Sequence, residues 1–487
     1  MYRLTVIQNQ TTTVIPFVGT PTLDALLKAA GVSAPHPCGG RGVCGKCAVD
    51  VTGAVSPPNE MEKKAGTRLS CQVILLGDAT VTLRDTASAD MRIESKAHIA
   101  AEIKHPMAGR YGAAVDIGTT TVALRVYDLA DGTLVGQAAA LNPQGNVSAD
   151  VMGRIDAAIH GQLSLLQRQI TDCIAALLSE ATAGKNITVD ALVLGGNTTM
   201  LYLLVGRDPT SLATAPFAAD TLFDTETKIL EIPAYLPPCM GAFVGADITA
   251  ALLASGVCDQ KGTFLLCDIG TNGEIALVRD GRLLVTSTAA GPAFEGVGIS
   301  SGCMGVSGAI DRVWAEDGAL RFTTIDGKPP IGICGSGLID AVSAALSIGL
   351  IDETGAMEED EIDLGGIKLL PEDVRALQLA KAAIAAGIDT LLDEAGISAD
   401  EIDECVIAGG FGSHLAPASA AATGLLPKVL IPRIRTIGNG SLDGATRVLL
   451  DTDKRDTLRR IAASATLVNL GGNPKFNAHY IDKMMFE

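Results

Sequence analysis

The chain has 487 residues and a formal net charge of −18, and its hydrophobic content of 47% includes only 3% aromatic residues. That length exceeds one hydrophobic core and predicts two to four domains, with Ala, Val, Leu and Ile filling layered α/β interiors. The acidic balance argues against nucleic acid or an anionic membrane as partner, and no apolar run reaches the length of a bilayer span.

The opening Met-Tyr-Arg-Leu-Thr-Val alternates like a strand and lacks the long apolar core of a signal peptide. Eleven cysteines without a secretion signal imply a reducing, cytoplasmic setting, in which an ordered cysteine set reads as a metal site and not a disulfide framework. Residues 1–85 read as a small β-rich unit. Arg3–Ile7 and Thr13–Phe17 alternate as a hairpin, and Thr22–Ala30 is a short helix capped by Thr22 and ended by Gly31. A glycine-rich loop follows, then strands over Ala48–Val51, Leu69–Ile74 and Thr80–Leu83. Residues 86–110 are polar and mixed in charge and are expected to be a linker.

The glycine-rich loop carries Cys38-Gly-Gly-Arg-Gly-Val-Cys44-Gly-Lys-Cys47, and a fourth thiol, Cys71, lies in Arg68-Leu-Ser-Cys-Gln72. Four thiolates are what a [2Fe–2S] cluster needs, and the glycines let backbone N–H groups turn toward the sulfurs. Zinc sites built from cysteine alone favour two close pairs, whereas here three thiols are bunched and one stands apart. The first gap of five residues resembles the adrenodoxin-type branch of [2Fe–2S] ferredoxins. Gly40-x4-Gly45-Lys46 imitates a P-loop, but it ends in Cys47 where a Ser or Thr would hold magnesium. The remaining cysteines (Cys173, Cys239, Cys258, Cys267, Cys303, Cys334 and Cys405) sit in apolar settings and read as small hydrophobes.

From Tyr111 onward, hairpins alternate with Ala/Leu-rich helices, of which Gln162–Glu180 and Ala376–Leu392 are the clearest. Asp-Ile-Gly-Thr occurs twice, at Asp116–Thr119 and Asp268–Thr271, each after a short apolar run and before a second strand. Each copy therefore marks the tight turn of a hairpin with an acid at the end of its first strand, and the long-range repetition predicts a duplicated domain. Such turns suit a phosphate chain: Gly118 and Gly270 let backbone N–H groups approach, Thr119, Thr120, Thr121, Thr271 and Asn272 add polar groups, and Asp116 and Asp268 attract the accompanying Mg2+. A boundary between lobes 111–245 and 246–487 is expected near Gly241–Val257, with C-terminal helices free to pack back on the first lobe.

The two hairpins resemble the phosphate loops of the superfamily of sugar kinases, heat-shock ATPases and actin. In that comparison Val406-Ile-Ala-Gly409-Gly410-Phe411-Gly412-Ser-His414 is the turn against which adenosine lies. Gly335 and Ser336 of Gly332–Gly337 border the nucleotide, and Gly438–Gly444 opens a late helix. Neither glycine stretch has the spacing of a dinucleotide fingerprint.

Over nearly its whole length the chain resembles the reductive activators of corrinoid-dependent methyltransferases, which are iron–sulfur ATPases. The resemblance runs through Asn142-Pro-Gln-Gly-Asn146, Ala149–Ile155, Gly195-Gly-Asn-Thr-Thr-Met200, Val244-Gly-Ala-Asp247, Asp268–Leu277, Ala289–Gly296 and Cys334-Gly-Ser-Gly337. It implies an α+β and α/β protein: a β-grasp [2Fe–2S] ferredoxin domain followed by a duplicated, ribonuclease-H-like, two-lobed ATPase of the actin and sugar-kinase type. It also implies ATP-dependent one-electron reduction of a corrinoid Co(II) to Co(I), an upstream low-potential reductant and a homodimer. Plant-type clusters lie near about −400 mV, and for one electron each ~59 mV of mismatch is a tenfold ratio. A gap of ~240 mV thus asks about 5.5 kcal/mol of the nucleotide, the size of a 1:99 to 99:1 population switch.

Under this resemblance Cys38, Cys44, Cys47 and Cys71 hold the cluster, and Asp116 and Asp268 serve magnesium or the attacking water. Glu295 is read either as the residue that orients that water or as a turn carboxylate bonded to backbone. Competing readings are an electron donor to a different metalloenzyme, a redox-regulated small-molecule kinase and a non-enzymatic scaffold. The six histidines show no metal-ligand spacing, Trp314 reads as core, and Glu358–Asp363 reads as a solvated acidic loop.

Overall fold

The computed structural model describes residues 1–8, 11–30, 32, 47–83 and 103–486. Cys38, Cys44, most of the glycine-rich loop around them, Gly31 and linker residues 84–102 lie outside the described residues. The chain divides into two compact units, 1–90 with 143–154, and 91–142 with 155–487.

In the first unit, β1 (Tyr2–Gln8) and β2 (Thr11–Phe17) form the expected antiparallel hairpin. β3 (Ala48–Val55), β4 (Arg68–Leu69) and β5 (Leu75–Leu83) complete a mixed sheet of order β2-β1-β5-β3-β4, with β1 and β5 parallel. The helix Leu23–Ala29 starts where the Thr22 hydroxyl accepts the Ala25 N–H at 3.2 Å. It packs Leu23 and Leu27 against Leu4, Val6, Val49 and Val81 of the sheet. This crossing of one helix over a mixed sheet is the β-grasp arrangement.

The strand expected over Leu69–Ile74 is only two residues long. Beyond it the Leu69 carbonyl accepts from the Gln72 and Val73 N–H groups at 2.8 and 2.9 Å, so Ser70–Val73 is a tight turn. The sequence reading also omitted the helix Glu60–Ala65, whose Asn59 and Glu62 form a reciprocal capping box. Glu62 is 2% exposed. Its carboxylate accepts from the Asn59 N–H, the Leu69 N–H and the Arg68 Nε at 2.9–3.0 Å. Burial opposes its charge, but those donors outweigh burial and hold the carboxyl below the usual range.

In the second unit, β6 (Tyr111–Ile117), β7 (Thr121–Asp128) and β8 (Leu134–Leu141) form a meander. β9 (Ala191–Gly196) pairs parallel to β6, and β10 (Thr225–Ile229) and β11 (Ile232–Leu236) extend the sheet to the order β10-β11-β9-β6-β7-β8. The pattern then repeats. β12 (Thr263–Ile269), β13 (Gly273–Arg279) and β14 (Arg282–Thr288) form a second meander. A three-stranded sheet of β15 (Ala309–Glu316), β16 (Ala319–Thr324) and β17 (Gly332–Ile333) follows, with a small hairpin of β18 (Ile362–Leu364) and β19 (Ile367–Leu369). β20 (Glu404–Ala408) pairs parallel to β12 as β9 does to β6, and β21 (Ile434–Thr436) and β22 (Ala465–Leu467) close the order β21-β20-β12-β13-β14-β22.

The helices Ala246–Ser255 and Gly440–Leu450 share one core with both six-stranded sheets. Ile248, Ala251, Leu442 and Ala445 meet Ala114 and Val193 of one sheet and Leu266 and Ala276 of the other. A Cβ at Gly444 would lie 2.1 Å from the Ala250 carbonyl oxygen, so the two helix backbones approach as only glycine permits. A buried ion pair, Arg125 with Asp443, fastens the second of these helices to β7. The long helix Pro371–Ala395 contains the predicted Ala376–Leu392, and Leu163–Ala181 matches the predicted Gln162–Glu180 with both ends one residue later. After β17 a helix runs from Gly335 to Ser347. Trp314 is 42% exposed on β15, so the core reading of this residue does not hold: it lies on the outer face of a three-stranded sheet. No helix among the described residues is long and apolar enough to cross a membrane.

Glu62→Ala strands the buried Leu69 N–H and removes the carboxylate partner of Arg68, whose Nη2 still donates to the Ser56 carbonyl at 2.7 Å. It is expected to cost about 3 kcal/mol locally and to cut hydrogen-exchange protection at Leu69 and Ser70. Undiminished protection at those amides removes Glu62 from this role.

Candidate functional site

Two of the four predicted cluster thiols are described. Cys47 immediately precedes β3, and the turn after β4 presents Cys71. The Ser70 N–H donates to the Cys47 carbonyl at 2.9 Å, which ties the two segments together. Their sulfurs are 3.3 Å apart. A disulfide would hold them at ~2.05 Å, whereas two thiolates bound at ~2.3 Å by one tetrahedral metal lie roughly 3.7 Å apart. The pair therefore fits a shared iron with little movement. Gln72 Nε2 donates to Cys71 Sγ at 3.5 Å, the kind of contact that tunes a thiolate ligand.

The two Asp-Ile-Gly-Thr turns are built alike. In the first, the Gly118 N–H donates to the Thr121 carbonyl at 2.9 Å, which closes the β6–β7 turn and leaves Thr119 and Thr120 at its tip. Thr121 already belongs to β7, and its backbone closes the turn. In the second, the Gly270 N–H donates to the Asn272 carbonyl at 3.1 Å and leaves Thr271 at the tip. The tips meet: Thr120 Oγ1 and Thr271 Oγ1 are 3.3 Å apart. Glu295 joins them. Its Oε1 accepts the Thr271 N–H at 3.0 Å, and its Oε2 accepts the Thr120 hydroxyl. Asn197, the N-cap of helix Thr198–Leu204, donates from Nδ2 to Thr119 Oγ1 at 3.0 Å.

Behind these tips lies a concentration of carboxyls that the sequence reading only half anticipated. Asp116 accepts from Asn439 Nδ2 at 2.8 Å and from Ser441 Oγ at 2.7 Å. Both donors sit at the start of helix Gly440–Leu450. Burial still pushes the Asp116 carboxyl up against the pull of those two donors. Asp268 has no hydrogen-bond donor to its carboxylate among the described residues. Burial, then the charges of Asp116 and Glu295, push it up to about 7. Asp247, in the first turn of helix Ala246–Ser255, is pushed up to about 7 by burial and by Asp268 and Asp116. Glu274, directly across the β12–β13 ladder from Asp268, is raised by burial and then by Asp247 and Asp268. Asp116, Asp247 and Asp268 nevertheless keep partial access to solvent. Clustered carboxyls that repel one another and have few donors are what a divalent cation neutralises.

The predicted adenosine turn abuts this cluster. β20 runs into Gly409, whose φ of +90° and whose would-be Cβ, 2.7 Å from Asp268 Oδ1, both require glycine. Nothing stands within 4 Å of a Cβ at Gly410. Phe411 stacks on Phe294, with ring centroids 5.0 Å apart, next to Glu295. Gly335 fits against the Phe294 carbonyl and the Phe411 ring, and Gly412 fits against Ile407. The Ser336 hydroxyl donates to the Asp311 carbonyl at 3.1 Å. Ser336 and His414 also border a pocket of about 520 Å³ with Asp311 and Arg312, at the start of helix Pro417–Ala422. Arg312 is pinned there by Asp340 at 2.7 Å.

The hairpin and glycine-turn residues predicted from sequence thus converge within the second unit. The residues the sequence reading missed are Asn197, Asp247, Glu274, Asn439 and Ser441. Asp247 and Glu274 lay inside stretches already singled out, and for Glu274 an acid three residues after the repeated turn was the available signal. Asn439 and Ser441 lay in the Gly438–Gly444 stretch expected to open a late helix, but they act on Asp116 across more than 300 residues of chain, so that pairing left no local signal. Among the other groups, His105 Nδ1 lies 2.7 Å from Asp453 and 3.9 Å from Asp451, an association that histidine spacing alone did not show.

A [2Fe–2S]-type β-grasp unit and a duplicated actin- and sugar-kinase-type unit define an iron–sulfur protein with a nucleotide-binding fold. Family models match accordingly: the 2Fe–2S iron–sulfur cluster binding domain over residues 6–76, the RACo middle region over 111–260, and the C-terminal ASKHA domain of RACo over 262–487. The corrinoid activation enzyme RamQ of Eubacterium limosum is 35% identical over 420 residues, 77% of this chain and 70% of that protein. A reductase of the Co(II) methylated-amine-specific corrinoid protein from Methanosarcina barkeri is 27% identical over 422 residues, 77% of each chain. The solved structure of a reductive activator for a corrinoid, iron–sulfur protein superposes with a TM-score of 0.73 at 25% identity, covering 100% of this chain and 98% of that one. The chain belongs to the RACo family, the reductive activators of corrinoid proteins.

The raised carboxyls set a pH dependence. Between about 4 and about 7 the native, cation-free unit binds protons at Asp268 and Asp247 that the unfolded chain has released, so their contribution to stability falls as pH rises through that window. Asp268→Asn removes one repelling charge. It is expected to raise the melting temperature of the nucleotide-free protein at pH 8 by roughly 3 °C, with the difference shrinking by pH 5. A variant that melts lower than the parent at pH 8 contradicts the repulsion.

Proposed function

We propose that this protein reductively activates a corrinoid protein, carrying one electron from a low-potential reductant to Co(II) to give Co(I), and that ATP drives the transfer. The reductant loses one electron and the cobalt gains it, while ATP and water become ADP and phosphate. The observation that carries the reading is the meeting of both phosphate-type hairpins at Thr120, Thr271 and Glu295, above a set of unneutralised carboxyls, in a chain of this family. A [2Fe–2S] cluster, when bound, supplies the one-electron carrier.

Cys47 and Cys71 are assigned to one iron of that cluster, on the strength of their 3.3 Å separation, and Cys38 and Cys44 to the other. Asp116, Asp247 and Asp268 are assigned to Mg2+ and its water. Asn439 and Ser441 fix the Asp116 carboxylate in place. Thr119, Thr120, Thr271 and Asn272 at the hairpin tips donate to phosphate oxygens, and Gly118 and Gly270 close the turns that present them. The glycine turn Gly409–Gly412 and the pocket beside Ser336 and His414 receive the nucleoside, which a volume of about 520 Å³ accommodates. Nucleotide shifts an electron-transfer equilibrium only by binding one state of the protein better than another. Two hairpin tips from two sheets, able to close on one phosphate chain, are a means to that difference. A homodimer through the ATPase unit is proposed on family resemblance alone.

The test is anaerobic visible spectroscopy of a Co(II) corrinoid protein mixed with this protein and reductant, with and without Mg-ATP. Co(I) is expected only with ATP. Indifference to ATP, or to every corrinoid protein offered, overturns the reading. Two variants separate the halves of the machine. Cys47→Ser is expected to abolish cobalt reduction while nucleotide still binds. Asp268→Ala is expected to keep the visible spectrum of the cluster and to lower ATP turnover at least ~100-fold. Full-speed ATP turnover by Asp268→Ala removes this site from the mechanism.

A further inference from the structure

The geometry points to the Glu295 carboxylate as a stand-in for the terminal phosphate of the nucleotide: it occupies that phosphate's subsite in the nucleotide-free protein and must be displaced for a triphosphate to bind. This rests on the nucleotide site proposed above and adds to it a competition built into the chain.

The contacts carry the inference. Thr120 and Thr271 come from hairpins 151 residues apart, yet one carboxylate accepts from both. The donors it takes, a threonine hydroxyl and a backbone N–H at a glycine-containing turn, are those that a phosphate oxygen would need. An anion with two oxygens therefore already sits between the tips. Its loop is anchored on the second hairpin, since the Gly291 N–H donates to the Thr271 carbonyl at 2.9 Å, and Glu295 ends the turn Pro292–Glu295 that follows. The carboxylate also adds negative charge beside Asp268. A phosphate and this carboxylate cannot share those donors, and their charges repel. A diphosphate that ends short of the tips leaves Glu295 in place, so the latch distinguishes ATP from ADP. Displacement exchanges a bridge supplied by the protein for one supplied by the ligand, and it frees Glu295 to reach water near the phosphate.

Titration calorimetry of the full chain with Mg2+ tests this, using a non-hydrolysable ATP analogue and ADP. Glu295→Gln keeps the shape and removes the charge. It is expected to bind the analogue on the order of tenfold more tightly than the parent, the strength of one charge-assisted bond, with ADP affinity unchanged within about twofold. Equal changes for both ligands, or weaker binding of the analogue, overturn the inference and leave the nucleotide site standing. Failure of the parent to bind either ligand removes the site and the latch together. A second comparison guards against a folding artefact: in a Thr120→Val background the gain from Glu295→Gln is expected to fall below about threefold, and a full gain there overturns the latch. Stronger hydrogen-exchange protection at the Thr271 amide in Glu295→Gln than in the nucleotide-free parent overturns it as well.

Discussion

Four carboxyls brought within each other's field, with too few donors to neutralise them, form the constraint on which the second unit is organised. Asp116 is the penultimate residue of β6 and Asp268 of β12, because the two meanders repeat one topology. Asp247 and Glu274 join them from a helix start and from the facing strand. Such a group is unfavourable by itself, and burial makes it more so. The fold holds it in place by other means. The helices Ala246–Ser255 and Gly440–Leu450 are locked between the two sheets by a shared apolar core and by the buried Arg125–Asp443 pair. Packing thus supports an electrostatic strain that a bound cation would relieve.

That arrangement gives the nucleotide a direct mechanical consequence. The hairpin tips belong to different sheets, and their contact at Thr120 and Thr271 is polar and small. Each six-stranded sheet is internally rigid, while the contact between tips is held by a few hydrogen bonds to one glutamate. Change at such a contact is discrete, because a donor serves either the carboxylate or a phosphate. The apolar core beneath, by contrast, resists deformation. A few polar groups at the edge of a close-packed structure are well suited to reporting which ligand is present.

The first unit solves a different problem. A small β-grasp domain must bring Cys47 and Cys71 together from separate segments and fix their direction. Glu62 does part of this by gathering three donors around the segment Arg68–Leu69 that leads to Cys71. The Ser70 N–H then ties that segment to Cys47. The resulting sulfur separation is 3.3 Å.

Sequence alone determined the elements whose causes are local or repeated: the cysteine spacing, the paired Asp-Ile-Gly-Thr turns, the glycine turn after Val406 and the amphipathic helices. A turn needs particular residues at adjacent positions, and duplication writes the same need twice, so both are visible without coordinates. What only the tertiary structure decided is which residues from distant segments share the site. Asn439 and Ser441 on Asp116, Asp247 and Glu274 beside Asp268, and Glu295 between two threonines all depend on how sheets and helices stack. The partial exposure of Trp314 was likewise set by neighbours in space, because β15 buries its other face; the short β4 has a local cause, the turn that Gln72 and Val73 close on the Leu69 carbonyl. Hydrogen bonds and Coulomb fields act through space over a few ångströms, and hundreds of residues of chain can separate groups that lie that close.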